Sequence, residues 1–141
     1  ALLGRAVARE PEGWLALVAR AEDAIDGDRL LDARTLLENA LAAESAGARA
    51  AGPAERAVPE ATRRRRGIEA RCLLAWLLAR ALGAQPAPAD APALRDAAFA
   101  RLGEAVRMGF DHREWLDEEE GLAPLRADAR WRGVVEGAGG K

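Results

Sequence analysis

The sequence predicts an all-α protein, and three observations lead to this prediction. Alanine, leucine, arginine and glutamate, which are strong helix formers, dominate the chain. No stretch is rich in the valine, isoleucine and threonine that favour strands. The segment IEARCLLAWLLARAL, residues 68–82, is apolar on nearly all sides of a helix, and such a helix belongs inside a protein. We therefore expect it to be the central helix of a helical domain.

The length of the chain indicates a single domain that spans residues 1–141. The formal net charge is −2, so the field of the whole protein does not attract nucleic acid or an anionic membrane. The most apolar segment is too short and too charged to cross a bilayer, which requires about 20 apolar residues. One cysteine excludes an intramolecular disulfide. Since the chain begins with Ala1 instead of methionine, we expect a processed or trimmed product. We expect it to be soluble and cytoplasmic, with export before removal of a signal as the alternative.

A first helix hairpin is predicted over residues 11–50. Apolar residues at helical spacing predict one helix that starts near Pro11 and a second helix after it. Gly27 is expected to close the first helix in the left-handed conformation, and Asp28 to cap the second. Because only these two residues separate the helices, we expect an antiparallel pair. The predicted inward residues are Trp14, Leu17, Val18, Ala21 and Ile25 on the first helix and Leu30, Ala33, Leu37, Ala40 and Leu41 on the second.

Residues 59–109 are predicted to form the central helix and a fourth helix, joined by a linker rich in proline and alanine. Pro59 fits the first turn of the central helix, Gly83 ends it, and Asp90 begins the fourth helix. Gly103 in the interior of the fourth helix costs about 1 kcal/mol relative to alanine, which predicts close approach of a neighbouring backbone. The predicted inward residues of this helix are Leu94, Ala98, Leu102, Ala105 and Val106, with Phe99 at the edge.

Residues 110–136 are predicted to form short helices that close one end of the domain. Gly109 is expected to adopt a positive φ, so that Phe110 folds back on the last turn of the fourth helix. Asp111 and Glu114 match a variant of the capping box. The short helices are expected at 112–117, 121–126 and 128–136, the last capped by Asp128, with inward anchors at Trp115, Leu116, Leu122, Leu125, Trp131, Val134 and Val135 and a frayed tail at 137–141.

Small and large residues alternate where the predicted helices cross: Ala21 in the first helix, Ala33, Leu37 and Ala40 in the second, and Ala98, Leu102 and Ala105 in the fourth. Residues 97–135 add a helix that ends in Gly-Phe, a tryptophan-bearing turn, an acidic stretch, Leu-x-x-Leu-Arg and a short Asp-x-Arg-aromatic helix. The pattern resembles tetratricopeptide (TPR) repeats, and the final stretch is similar to the module that closes many bacterial TPR arrays. The segments between hairpins are longer than the family's repeat of about 34 residues allows. The expected fold is therefore an irregular, TPR-like set of antiparallel hairpins with short C-terminal capping helices, and the resemblance implies binding of a protein or peptide without intrinsic chemistry.

The run of four arginines from Arg63 to Arg66 is the strongest candidate for a binding site. These guanidinium groups could bind an acidic peptide, a phosphate-bearing partner or nucleic acid. In the alternative interpretation they form a solvated face that pairs with Glu60, Glu69 or the acidic run at 117–120. The predicted partner-binding residues are Arg63, Arg64, Arg65, Arg66, Arg71 and Trp76, with a core position as the alternative for Trp76.

Other candidate groups point to no reaction. The acidic run at 117–120 could ligate a metal, but it lacks a calcium-loop pattern, and consecutive carboxylates at a helix end are usually solvated. Cys72 and His112 could form a nucleophile–base pair, yet burial makes a thiol inert, and no third residue to orient them is identifiable. A single His and a single Cys argue against a zinc site. We expect no enzyme activity, no cofactor and no metal.

These observations favour a non-enzymatic interaction or adaptor domain. Its binding surface is expected on the first and third helices, flanked by the arginines, and its partner would be a protein or peptide, with acidic ones among the candidates. Two other classes remain open. The chain could be a structural, self-assembling helical subunit that forms homo-oligomers, or a basic-patch module that binds nucleic acid.

Overall fold

The computed structural model describes residues 13–46, 57–84 and 88–138, and within these ranges the protein is helical without any strand. The predicted all-α class is therefore confirmed. No helix in the described ranges is long and apolar enough to span a membrane. The predicted features at 11–12, 47–50, 85–87 and 139–141 lie outside the described residues. The elements are α1 (Trp14–Asp26), α2 (Leu30–Ser45), α3 (Glu60–Leu82), α4 (Ala91–Arg107), α5 (Arg113–Glu118), a 3-10 helix (Glu120–Leu122), α6 (Ala123–Arg126) and α7 (Arg130–Ala138).

The longest helix, α3, is the element that the others pack against. It contacts α1, α2, α4, the 3-10 helix and α6, while α1 and α2 also pack on each other. Leu77, Leu78 and Ala79 are consecutive and all buried, so α3 is enclosed on most of its sides at this level. Each fully buried leucine contributes roughly 1.5–3 kcal/mol to stability. The apolar character of residues 68–82 thus reflects contacts with several elements at once.

The connection between α1 and α2 places its left-handed residue one position later than predicted. Gly27 has a φ of −87°, whereas Asp28 has a φ of 62°, so the prediction for Gly27 is wrong. The amide of Asp28 donates to the Ile25 carbonyl, and that of Arg29 donates to the Ala24 carbonyl at 2.7 Å. These two bonds form a Schellman motif, in which aspartate tolerates the left-handed conformation. Asp28 therefore ends α1 and does not cap α2.

The α4–α5 turn, residues 108–112, has the predicted helix end but not the predicted capping box. Gly109 has a φ of 113°, and the Phe110 amide donates to the Ala105 carbonyl at 2.9 Å, as expected for a Schellman motif. The start of α5 is shifted, because the amide of Arg113 donates to the backbone carbonyl of Asp111. His112 takes the N-cap position without a side-chain cap. The carboxylate of Asp111 is left exposed to solvent.

A neighbouring side chain approaches Gly121 closely, whereas Gly103 has no such neighbour. A Cβ atom at Gly103 would meet only the Arg107 guanidinium, at 3.4 Å, so the prediction of a nearby backbone is wrong. A Cβ atom at Gly121 would lie 2.3 Å from Nε1 of Trp76. That indole N–H donates to Oε2 of Glu119 at 3.0 Å, and the same oxygen accepts the Gly121 amide at 3.1 Å. The contact attaches the segment after α5 to α3.

We call residues 110–138 the C-terminal module. One arginine, Arg126, connects its segments by donating hydrogen bonds to backbone carbonyls. The guanidinium of Arg126 donates to the carbonyls of Leu116 and Glu119, both at 2.7 Å, and lies over the Trp131 ring. Asp128 accepts the Arg130 amide at 2.8 Å as predicted for a cap, and Arg130 lowers the pKa of that carboxyl to about 2. Leu116, Leu122 and Leu125 are completely buried. Helix α7 continues to Ala138, which is also buried, so the expected tail begins later than residue 137.

We predict that Gly121→Ala destabilises the protein by about 1–3 kcal/mol, because the new methyl group overlaps the Trp76 indole. Gly133→Ala is the matched control: a Cβ there meets nothing within 4 Å, and alanine favours the interior of α7 by roughly 0.5–1 kcal/mol. Urea denaturation followed by circular dichroism measures both changes. Equal effects of the two substitutions would contradict a tight Trp76–Gly121 contact.

Candidate functional site

The four arginines from Arg63 to Arg66 do not act as one patch. Nη2 of Arg63 lies 2.8 Å from Oε1 of Glu60, and Nε of Arg65 lies 3.9 Å from Glu69. Arg66 points toward α1, where its two terminal nitrogens bind the Glu22 carboxylate at 2.9 and 3.1 Å. Arg64 is exposed and has no ion pair or hydrogen bond with the described residues. Pairing with Glu60 and Glu69, as the alternative interpretation expects, is found for Arg63, Arg65 and Arg66, whereas Arg64 extends into solvent.

Arg66 connects two helices and is already neutralised. It bonds Glu22 of α1 and Glu69 of its own helix. The hydrogen bonds that Arg66 donates to Glu22 raise the pKa of Arg66, burial opposes them, and the bond to Glu69 adds to the increase. Because two carboxylates compensate one guanidinium, Arg66 has little charge to offer a partner.

Arg71 lies inside the protein and not on a binding surface. Its side chain is 12% exposed, and it bonds Glu44 of α2 at 2.6 Å and Glu104 of α4 at 3.0 Å. Burial lowers the pKa of Arg71, but hydrogen bonds and charge from Glu44 and then Glu104 outweigh it, so the pKa is raised overall. Gly67 provides the space, since a Cβ atom there would lie 2.9 Å from the Glu44 carboxylate.

Trp76 also serves an internal contact. Its indole N–H is bonded to Glu119, and its ring lies under the Arg80 guanidinium at 5.1 Å. Trp76 therefore joins α3 to the C-terminal module, as its alternative interpretation as a core residue suggested. Of the six predicted partner-binding residues, Arg64 and Arg65 are the ones that line an open groove without a close internal partner.

That groove has a volume of about 990 Å³ and lies between α3 and the chain around the α4–α5 turn. One wall is a stripe of α3 that begins at Ala61 and continues along the same helical face through the exposed arginines to Ile68 and Leu73. The other wall is formed by residues 108–112, 114 and 115. The apolar lining residues are Ile68, Cys72, Leu73, Met108, Phe110 and Trp115.

The second wall contains the functional candidates that the sequence analysis missed. Asp111 and Glu114 match a capping box in the sequence, but in the structure both are exposed and line the groove. Phe110 holds this wall together, with its ring 5.9 Å from that of Trp115 in an edge-on arrangement and 5.7 Å from the His112 ring. The Gly-Phe pair in the sequence predicts the turn after α4, but it does not predict which face of α3 this turn packs against.

Cys72 lies at the bottom of this groove and is 7% exposed. Burial, with a smaller contribution from the charge of Glu69, raises the pKa of the thiol to about 12. The thiol therefore stays neutral at physiological pH and serves as an apolar contact. His112 lines the same groove, with Nε2 at 3.9 Å from Asp111, and no hydrogen bond joins it to Cys72.

A second cavity of about 690 Å³ lies within the C-terminal module. Its lining mixes charges of both signs, including Arg113, Asp117 and Arg132. Arg126 also lines it but is committed to backbone carbonyls. Across the described ranges, no cluster of three or more His, Cys, Asp or Glu side chains is placed to hold a metal ion.

Comparison with known proteins adds no relative to this description. The chain matches no family model, and neither a curated protein nor a solved structure gives a significant match.

We predict that Arg71→Met lowers the free energy of unfolding by about 2–4 kcal/mol, because it leaves the partly buried Glu44 carboxylate without its partner and Glu104 with Arg101 alone. Arg64→Met, which also removes one positive charge from α3, should change stability by less than about 0.5 kcal/mol. Urea denaturation at neutral pH measures both. A loss below about 1 kcal/mol for Arg71→Met would show that the ion pairs add nothing net.

We also predict that stability falls as the pH rises from 9 toward 12. The native pKa of Cys72 of about 12 lies above the ordinary thiol value of 9.0, so the unfolded chain loses its proton first. The stabilisation is complete below pH 9 and decreases by about 1.4 kcal/mol per pH unit above it. The chain has no tyrosine, and Lys141 is its only lysine, so few other side chains titrate there. Cys72→Ala should flatten the profile, and an equal slope in both proteins would contradict the assignment.

Proposed function

We propose that this chain is a non-enzymatic, TPR-like interaction domain that binds a peptide segment of another protein. The observation that carries the proposal is the groove between α3 and the α4–α5 turn, where an apolar lining is bordered by two exposed guanidinium groups. Arg64 has no ion pair with the described residues, and the ion pair of Arg65 with Glu69 is exposed and 3.9 Å long. Apolar contacts supply most of the affinity in such a site, and charges at the rim select the partner and speed its association.

The packing of the small residues supports a TPR-like arrangement. Ala21, Ala33, Ala40, Ala98 and Ala105 are all completely buried, as expected where the helices of such repeats cross closely. Helix α3 contacts both α1 and α2, which is the relation expected of the first helix of a second repeat to the repeat before it. In this interpretation the groove lies on the second hairpin, where the closing module meets it.

The charges of the groove favour a peptide over nucleic acid. Asp111 and Glu114 line it together with the arginines, so a phosphate backbone that follows the groove would meet carboxylates. Arg66 is compensated by Glu22 and Glu69 and adds no free positive charge. A peptide can match both signs with its own side chains.

The experiment is a selection from a phage-displayed library of random peptides of about 15 residues, followed by fluorescence anisotropy with the enriched peptides. We predict that Arg64→Glu/Arg65→Glu weakens their binding about tenfold or more, because each reversal replaces attraction by repulsion. The helical circular dichroism and the thermal midpoint should stay unchanged, since Arg64 has no internal partner and the Arg65–Glu69 pair is exposed.

The matched control is Arg107→Glu/Arg132→Glu, which makes the same change in net charge at exposed positions outside the groove. Binding should then change by less than about twofold. Peptides that bind equally to wild type and to Arg64→Glu/Arg65→Glu would overturn the proposed function, as would a library that yields no binder. Self-association of the chain that is lost in Arg64→Glu/Arg65→Glu would move the assignment to a self-assembling subunit.

A further inference from the structure

We infer that the groove accepts an amphipathic helix whose apolar face is flanked by acidic residues on one side and basic residues on the other. This inference rests on the proposed function and specifies the partner of the same site. It follows from three features of the groove: the charge of each wall, the length of the apolar stripe, and the kind of backbone that forms the walls.

The α3 wall is positive where it meets solvent. Arg64 is exposed without a partner among the described residues, and Arg65 is 64% exposed with its nearest carboxylate oxygen 3.9 Å away. Glu69 is shared, since it also bonds Arg66. Glu69 lines the same wall and offsets part of its positive charge. The guanidinium groups of Arg64 and Arg65 are nevertheless exposed along this edge, and both present planar donor sets that suit a carboxylate.

The opposite wall is negative. Asp111 is 78% exposed, and its closest charged neighbour is His112 at 3.9 Å, a pair that is ionic only when the histidine is protonated. Glu114 is exposed as well and has no ion pair with the described residues. These carboxylates belong to the α4–α5 turn and the first turn of α5, so they sit on a different chain segment from the arginines.

The shape of the groove suits a helix. Its α3 stripe extends from Ala61 to Leu73, about 18 Å at the helical rise per residue, which matches roughly three turns of a partner helix. The described ranges contain no strand, so an extended peptide finds no sheet edge there to pair with. A helix that inserts apolar residues at i, i+3, i+4 and i+7 can cover the stripe, and its two flanks then face the two walls.

Opposite walls select against a uniformly charged partner. An all-acidic helix would be attracted by Arg64 and Arg65 but repelled by Asp111 and Glu114. An all-basic helix would be repelled by the arginines and attracted by the carboxylates. A helix with one acidic and one basic flank is attracted electrostatically by both walls. The same pattern fixes the direction of the bound helix, because turning it end to end exchanges its flanks.

The test uses three synthetic helical peptides of about 15 residues with one shared leucine face: one with glutamate on one flank and lysine on the other, one with glutamate on both, and one with lysine on both. We expect the two-signed peptide to bind wild type about tenfold more tightly than either of the others at moderate salt. Arg64→Glu/Arg65→Glu and Asp111→Lys/Glu114→Lys should each weaken it about tenfold. The variant with all four changes exchanges the walls and should restore its binding with the direction reversed. A nitroxide on the peptide's amino end reports that reversal, by broadening NMR signals at the other end of the groove.

The outcomes separate this inference from the proposed function. Equal or tighter binding of the all-glutamate peptide would overturn the two-signed partner, and so would a failure of the four-residue variant to recover binding. Failure of every synthetic peptide, while library peptides still depend on Arg64 and Arg65, would also overturn it and leave the interaction domain standing. If the library peptides ignore the groove too, the proposed function itself fails. Thermal unfolding of each variant shows that it is folded.

Discussion

The guanidinium of Arg71 is the contact on which the arrangement of α2, α3 and α4 depends. It bonds Glu44 at 2.6 Å and Glu104 at 3.0 Å, so one side chain on α3 reaches both neighbouring helices. Moving a charge out of water is unfavourable, and an ion pair offsets that loss only when its hydrogen bonds are well made. Here a fork-shaped cation meets two carboxylates and the carbonyl of Gly67, which leaves few of its donors unsatisfied. Because these partners are distant in sequence, the network fixes where α2 and α4 lie along α3.

The fold class and the ends of helices were predictable where the signal is local. The apolar residues of α3 follow one another closely in the sequence, so a helix is predictable from this segment alone. Gly109, followed by an aromatic residue, likewise predicts a helix end. The connection after α1 shows the limit of such reasoning. Glycine and aspartate both tolerate a positive φ, and the pattern of backbone hydrogen bonds decided in favour of Asp28. Gly103 shows another limit, since a glycine inside a helix does not require a neighbouring backbone: a Cβ atom there would meet the Arg107 side chain of the same helix.

The candidate site was only partly predictable, because its properties come from contacts between distant residues. Arg66 is one of four adjacent arginines, and nothing local distinguishes it, yet Glu22 lies 44 positions earlier in the chain and neutralises it. Arg71 and Trp76 carry the polar groups expected of surface residues, but Glu104 and Glu119 bind them from elements that follow much later. The acidic wall of the groove follows from the packing of the α4–α5 turn beside α3. The sequence shows the run of positive charges from Arg63 to Arg66, but only the tertiary structure shows which of these arginines lack a close carboxylate partner.

The residues that shape the acidic wall of the groove, Gly109 among them, are different from the residues that give it its charge. At a φ of 113° this residue lies where side chains with a Cβ atom are strained, although the space around it is open. The course of the chain into the acidic wall therefore depends on Gly109 together with the Phe110 contacts, whereas the side chains of Asp111 and Glu114 project into solvent. Substitutions at those two positions can change the sign of the wall while the backbone stays in place. A domain built this way can acquire new partners during evolution through surface charges alone, without a new fold.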